Sequence, residues 1–155
     1  MDSPQTTLWG PALWNLLHFS TERVGSRRLH RLPHEEARIW SHLLSRLAYS
    51  LPCPQCKKHY QLYLATHPLS VSTKEELRRW LWRLHEEVNQ RTGKASTVTL
   101  EEMESRYSVP FSFSSYASVV LHHMRLAIQR GWCAREDVVL TSRFLEEMRR
   151  FYDFH

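Results

Sequence analysis

Apolar residues recur at helical spacing along almost the whole of this 155-residue chain, and no stretch alternates apolar with polar residues as a half-buried strand would. From Pro11 to Val24 the stripe is Leu13, Trp14, Leu17 and His18, and Pro11 suits a first helical turn, where its missing N–H would be unpaired anyway. From about His34 to Ser50 it is Ala37, Trp40, Leu43, Leu44 and Leu47, with Pro33 ahead of it. Leu51-Pro52-Cys53-Pro54-Gln55-Cys56 interrupts the pattern, which resumes from Lys57 to Thr66 through Tyr60, Leu62, Tyr63 and Leu64. Two prolines thus put the cysteines at the start of a third helix.

Past the turn at Thr66-His67-Pro68, Thr73 with Glu76 three residues on is a capping-box pattern. It opens a fourth helix running through Trp80, Leu81, Leu84 and Val88 to Gly93. Leu100 to Tyr107 predicts a short fifth helix, and Val109 to Ser115, with its proline and serines, reads as a joint. Tyr116 to Arg130 and Arg135 to Phe154 follow as two more helical segments around Gly131-Trp132. An all-α chain is the economical reading, with residues 1–108 as a helical core. Residues 109–155 form a C-terminal extension in which Val119, Val120, Met124, Ile128, Phe144, Leu145 and Met148 cover that core or make a dimer surface.

The net charge of +5 favours anionic partners: a phosphate-bearing cofactor, an acidic surface or nucleic acid. Arg78-Arg79 and Arg149-Arg150 raise the nucleic-acid reading, but basic residues interleaved with acidic ones are the usual dress of solvated helix faces. No apolar run reaches the length of a membrane span, and Met1 to Gln5 lacks the basic start and apolar core of a signal peptide. The expectation is a protein that acts in the cytoplasm, with no membrane and no nucleic acid among its partners.

Three cysteines exclude a dense disulfide framework. Cys53 and Cys56 are spaced to share one disulfide, and a helix N-terminus, with Lys57 and Lys58 adjoining, favours thiolate over thiol. The competing chemistry is a non-enzymatic zinc-binding or interaction module built on Cys53, Cys56 and His59, for which a fourth ligand would have to come from His122, His123 or Cys133. A thioredoxin-like fold is excluded because the pair does not follow a strand. Spacing alone favours redox over metal.

The flanking residues carry more than the pair. Trp9-Gly10-Pro11-Ala12-Leu13-Trp14-Asn15-Leu16-Leu17-His18 resembles the WGxxxWxxLH opening of the Erv/ALR family of FAD-linked sulfhydryl oxidases. Pro52-Cys53-Pro54-Gln55-Cys56 is similar to its PCxxC, and Trp80 to Asn89 is similar to its WLxxxHNxVN helix. The resemblance implies a four-helix bundle that cradles FAD near the CxxC, a short fifth helix, and a homodimer. It implies that Cys56 lies against the flavin ring, that Cys53 meets a protein thiol substrate, and that electrons pass to molecular oxygen as hydrogen peroxide.

By residue type alone, tryptophans at helical spacing pack cores and a histidine on such a stripe is a satisfied core residue. The resemblance makes cofactor contacts of them: Trp9, Trp14 and Trp82 as stacking faces, His18 and His85 as hydrogen-bonding rings, and Gly10 and Val88 as motif positions. Asn89 would hold the adenine or ribose, Lys94 a phosphate, and His59 and Tyr60 would line the isoalloxazine pocket. Two departures stand out. Glu86 replaces the usual asparagine, and the second cysteine pair is absent, leaving Cys133 as relay, interchain link or buried thiol. Small family members without a signal occur in large cytoplasmic DNA viruses, which implies a viral-type protein of the infected-cell cytoplasm or virion.

Overall fold

The computed structural model describes residues 2–27, 34–69, 72–96 and 98–155, and no strand occurs among them. The helices are α1 (Thr6–Thr21), α2 (Glu35–Ser50), α3 (Pro54–Thr66), α4 (Lys74–Thr92), α5 (Met103–Tyr107), α6 (Phe113–Gln129) and α7 (Arg135–Tyr152), with a 3-10 turn at Leu100–Glu102 before α5. Pro33, expected ahead of α2, lies outside the described residues. None of these helices is long and apolar enough to cross a membrane.

Helix α1 starts earlier than Pro11 suggests. It begins at Thr6, so Pro11 sits inside it and Thr7 O lacks its i+4 donor. Thr7 is exposed, so the bond is forfeited at the protein surface, while burial of Trp9 holds the added turn in place. Helix α2 buries Ile39, Trp40, Leu43, Leu44 and Leu47 and stops at Leu51, whose extended ψ of 128° is what a following proline demands. Helix α3 has Pro54 in its first turn and Cys53 as its N-cap. Helix α4 opens on Thr73, whose Oγ1 accepts the Glu76 N–H at 3.1 Å. It closes at Gly93, whose φ of 74° brings Lys94 N–H to Asn89 O at 2.8 Å. Helix α6 starts at Phe113 rather than Tyr116, because Ser112 Oγ caps the Ser115 N–H at 3.3 Å and Phe113 is buried.

Helices α1 and α4 pack together, as do α2 and α3, while α6 lies along α1 and α7 along α2. Buried side chains from α1, α2, α3, α4, α6 and α7 form one continuous core, with Trp40, Phe113, Leu16 and Met148 among its fully enclosed members. Residues beyond 108 therefore cover the outer faces of α1 and α2. Buried polar contacts fix the register of α7 on α2: Trp40 Nε1 donates to Tyr152 Oη at 2.9 Å, and Thr141 Oγ1 donates to Ser50 Oγ at 2.7 Å. A second, smaller cluster of Val98, Met103 and Tyr107 closes over Phe19 and Trp82. The end of α1 is tied to α4 by a bidentate ion pair, with Arg78 donating to both Glu22 oxygens at 2.9 and 2.7 Å.

Candidate active site

The four helices α1 to α4 enclose a cavity of about 400 Å³, capped by Arg106 and Tyr107 of α5. Each helix contributes one face. Cys56, His59, Tyr60 and Tyr63 fall three or four residues apart on α3, as do His85, Val88, Asn89 and Thr92 on α4, so each set lines the cavity as a stripe. Trp9, Gly10, Trp14 and Leu17 come from α1, and Leu44 and Leu47 from α2. Arg91, Lys94 and Arg106 line the same cavity from exposed positions, three cations against the one carboxylate of Glu87, so its charged lining is net positive.

Trp14 lies flat on His85, with ring centroids 4.0 Å apart and planes 6° from parallel. Behind His85 sits His18, its Nε2 3.0 Å from His85 Nδ1. Burial, then the neighbouring imidazole, lowers the His18 pKa to about 3; burial chiefly, with Lys94 nearby, lowers His85 to about 4 despite Glu86. Both rings are neutral near pH 7. His18 Nδ1 is buried without a partner among the described residues. The tautomer that avoids an orphaned N–H has His18 Nε2 donating to His85 Nδ1, which leaves Nε2–H of the cavity-lining His85 as a donor. Trp9 Nε1, on another lining residue, is likewise buried and unpartnered. Aromatic faces, an apolar floor, unmatched ring nitrogens and a net positive lining fit a flat heteroaromatic ligand that carries phosphates.

Cys53 does not line the cavity. Its half-buried side chain caps α3, Sγ accepting the Cys56 N–H at 3.3 Å, so the two thiols adjoin at the start of α3 with Cys56 alone lining the cavity. Both are free thiols in this structure. The expectation of a favoured thiolate fails for Cys56, which is pushed up to about 12 by burial first and the Cys53 sulfur second, with Arg91 only partly offsetting them. Desolvation at the cavity wall outweighs the helix terminus.

Of the residues singled out by motif, Trp9, Gly10, Trp14, Cys56, His59, Tyr60, His85, Val88, Asn89 and Lys94 meet at the cavity. Two do not. His18 lies behind His85, and Trp82 turns into the smaller cluster, its Nε1 donating to Val98 O at 2.9 Å. Glu86 also faces away, its carboxylate held by Ser96 Oγ at 2.5 Å. Tyr63, Leu44, Leu47, Arg91, Arg106 and Tyr107 were missed. Tyr63 was legible, because it continues the Cys56 stripe by two turns; Arg106 was not, because only the fold brings α5 to the cavity.

No group of three or more His, Cys, Asp or Glu able to hold a metal ion occurs among the described residues, so the zinc reading is not favoured. His123 Nδ1 bonds Val119 O and Cys133 Sγ bonds Leu51 O, so neither completes a set with His59. The arginine pairs that hinted at nucleic acid are partly neutralised: Arg78 pairs with Glu22 at 2.7 Å, and Arg149 and Arg150 both pair with Glu146, at 2.7 and 3.1 Å.

A helical bundle with a CxxC at a helix N-terminus, one cysteine on an aromatic cavity and the other outside it, defines a helical thiol-redox protein. The chain belongs to the Erv1 / Alr family, which it matches over residues 11–108. A "FAD-linked sulfhydryl oxidase" of African swine fever virus (isolate Tick/Malawi/Lil 20-1/1983) is 31% identical over 90 residues, covering 56% of this chain and 69% of the relative. "FAD-linked sulfhydryl oxidase ERV1" of Arabidopsis thaliana is 26% identical over 98 residues, covering 63% and 49%. The mitochondrial counterpart of Saccharomyces cerevisiae is 26% identical over 94 residues, covering 61% and 48%. No solved structure is a significant match. Helices α6 and α7 lie beyond the family match.

Proposed function

We propose that this chain is an FAD-linked sulfhydryl oxidase that forms disulfides in protein substrates through Cys53 and Cys56. The observation that carries the reading is the placement of Cys56 on the cavity shared by Trp14 and His85, with Cys53 half-buried outside it. Family membership and the relatives' names support it. Cys53 is the interchange thiol. In the oxidised pair a substrate thiolate attacks Cys53 Sγ, the Cys53–Cys56 bond breaks, and Cys56 leaves as the thiolate. A second substrate thiol then displaces Cys53, releasing the substrate disulfide and leaving the pair as a dithiol. Trp14 and His85 supply a stacking face, His85 Nε2–H a donor, and Arg91, Lys94 and Arg106 charge for phosphates. FAD held by these residues would supply a two-electron acceptor for the dithiol, with molecular oxygen as the final acceptor, giving hydrogen peroxide.

Residues 1–108 form the oxidase bundle and residues 109–155 an extension packed on it. The resemblance adds a homodimer, for which equilibrium sedimentation is the measurement. The viral relatives support a viral-type member that works in the infected-cell cytoplasm or virion. The test of the activity is the visible absorbance of the purified protein. Two flavin bands that bleach on addition of dithiothreitol without oxygen are expected, and a colourless protein with stoichiometric zinc sinks the reading.

A further inference from the structure

The family match stops at residue 108, yet the chain beyond it returns to the cysteine pair. Gly131, with φ of 74°, turns the corner between α6 and α7, and Trp132 and Cys133 follow. Two bonds tie this corner to the start of α3. Cys133, buried in the main core, donates its S–H to Leu51 O at 3.4 Å. That oxygen also accepts the Cys53 N–H at 2.8 Å, closing a three-residue turn over Pro52. On the other side of Cys53, the Lys57 ammonium donates to Trp132 O, while the Lys57 N–H donates to Cys53 O at 3.0 Å. The backbone N–H and C=O of Cys53 therefore both bond groups that the corner anchors.

Helix α3 by itself holds this turn loosely. Pro54 brings no N–H to it, and the sulfur that caps it, Cys53 Sγ, changes partners at each exchange. The corner instead acts on Cys53 backbone atoms, which take no part in the exchange. A thiol is a weak donor, but the buried seat of Cys133 fixes where Leu51 O points, and the bond from Lys57 is charge-assisted. Held this way, Cys53 Sγ lies close enough to Cys56 to raise the pKa of its thiol.

We propose that Cys133 is a positioning residue: acting through Leu51 O, with Lys57 as the second tie, it holds Cys53 where its sulfur closes readily on Cys56. Cys133 itself does not line the cavity. Two thiols held near their bonding geometry have a high effective concentration toward each other, which stabilises their disulfide against external thiols. The step concerned is the exchange of the Cys53–Cys56 dithiol with glutathione disulfide, which gives the Cys53–Cys56 disulfide and two glutathione thiols. This inference rests on Cys53 and Cys56 being the redox pair of the proposed oxidase.

The test uses the full-length, flavin-bound wild type, Cys133→Ala, Cys133→Ser and Lys57→Met. Each is equilibrated without oxygen in glutathione buffers, quenched with acid and alkylated, and its cysteine pairings are mapped by mass spectrometry. The equilibrium constant for the Cys53–Cys56 disulfide is expected to fall about tenfold in Cys133→Ala and in Lys57→Met, as the pair loses its fixed geometry. Cys133→Ser, which keeps a donor for Leu51 O, stays near wild type, and flavin absorbance is unchanged throughout. A wild-type constant in Cys133→Ala overturns the proposal, as does an equal fall in Cys133→Ser, which would leave the hydrogen bond without a role. A Cys53–Cys133 disulfide in the wild type also overturns it, by making Cys133 an exchange partner. If Cys133→Ala does not fold, Lys57→Met decides, and an unchanged constant there is fatal. A wild type whose Cys53 and Cys56 pair in none of the buffers sinks the parent reading instead, and this one with it.

Discussion

His18 Nε2 lies 3.0 Å from His85 Nδ1, so two imidazoles 67 residues apart in the chain share one hydrogen bond at the wall of the cavity. Both have pKa values depressed by burial, to about 3 and about 4. Unfolded histidines take up protons below about pH 6.5, whereas these stay neutral in the fold, so the unfolded chain binds more protons and stability falls as the pH drops from about 6.5 toward 4. The melting temperature is expected to be lower near pH 5 than near pH 7, and His18→Asn should shrink that difference. A melting temperature that holds or rises on acidification would contradict the assignment.

The cysteine pair separates by role. Cys56→Ser should retain FAD and lose dithiol oxidation, and Cys53→Ser should also be inactive while keeping Cys56 against the ligand. Near-normal oxygen uptake by either variant refutes the scheme. Because the reduced Cys56 thiol is pushed up to about 12, its alkylation in flavin-free protein should be slow at neutral pH and climb steadily as the pH is raised. Peptide mapping by mass spectrometry measures it.

Trp14 and Trp82 make opposite predictions although both belong to the motifs. Trp14→Ala removes the ring stacked on His85 and should weaken FAD binding by about 1–3 kcal/mol, the usual worth of a base on an aromatic face. Trp82→Phe removes only the donor to Val98 O, and should keep FAD while costing about 1 kcal/mol of stability. The ratio of flavin to protein absorbance after gel filtration distinguishes them; equal flavin loss in both would show that Trp82 reaches the cofactor.

The Glu22 carboxylate has 1% of its side chain exposed and depends on Arg78. Arg78→Ala should therefore destabilise the fold by about 3–5 kcal/mol, because it leaves a buried charge unpaired. Replacing both, as Glu22→Gln with Arg78→Met, should recover much of the loss. Urea unfolding gives the two values, and a harmless Arg78→Ala would mean that Glu22 finds water or another partner.

The helices were legible because their signals are local. Thr73 with Glu76, Pro54 at the start of α3 and Gly93 at the end of α4 act within a turn or two, and each does in the fold what its spacing predicts. Pro11 misled because proline tolerates a first turn better than an interior, and the burial of Trp9 was worth more than the bond Pro11 forfeits. The likeness to the family motifs pointed to most of the cavity wall, since a stripe on a helix turns toward one neighbour as a unit. It failed at His18, which sits behind His85, and at Trp82, which lies three residues from His85 and whose ring is drawn off by Val98, a residue of the loop beyond α4.

The sequence alone determined an all-helical chain with a cysteine pair at a helix N-terminus, because hydrophobic period, caps and prolines act between residues at most a few positions apart. Tertiary structure decided what those helices enclose. Which cysteine lines the cavity, the arrival of Arg106 at the cavity that Lys94 also lines, the seating of α6 and α7 on α1 and α2, and the tie from Cys133 to Leu51 join residues far apart in the chain. Such contacts are chosen by the packing of whole faces against one another, which no local spacing encodes.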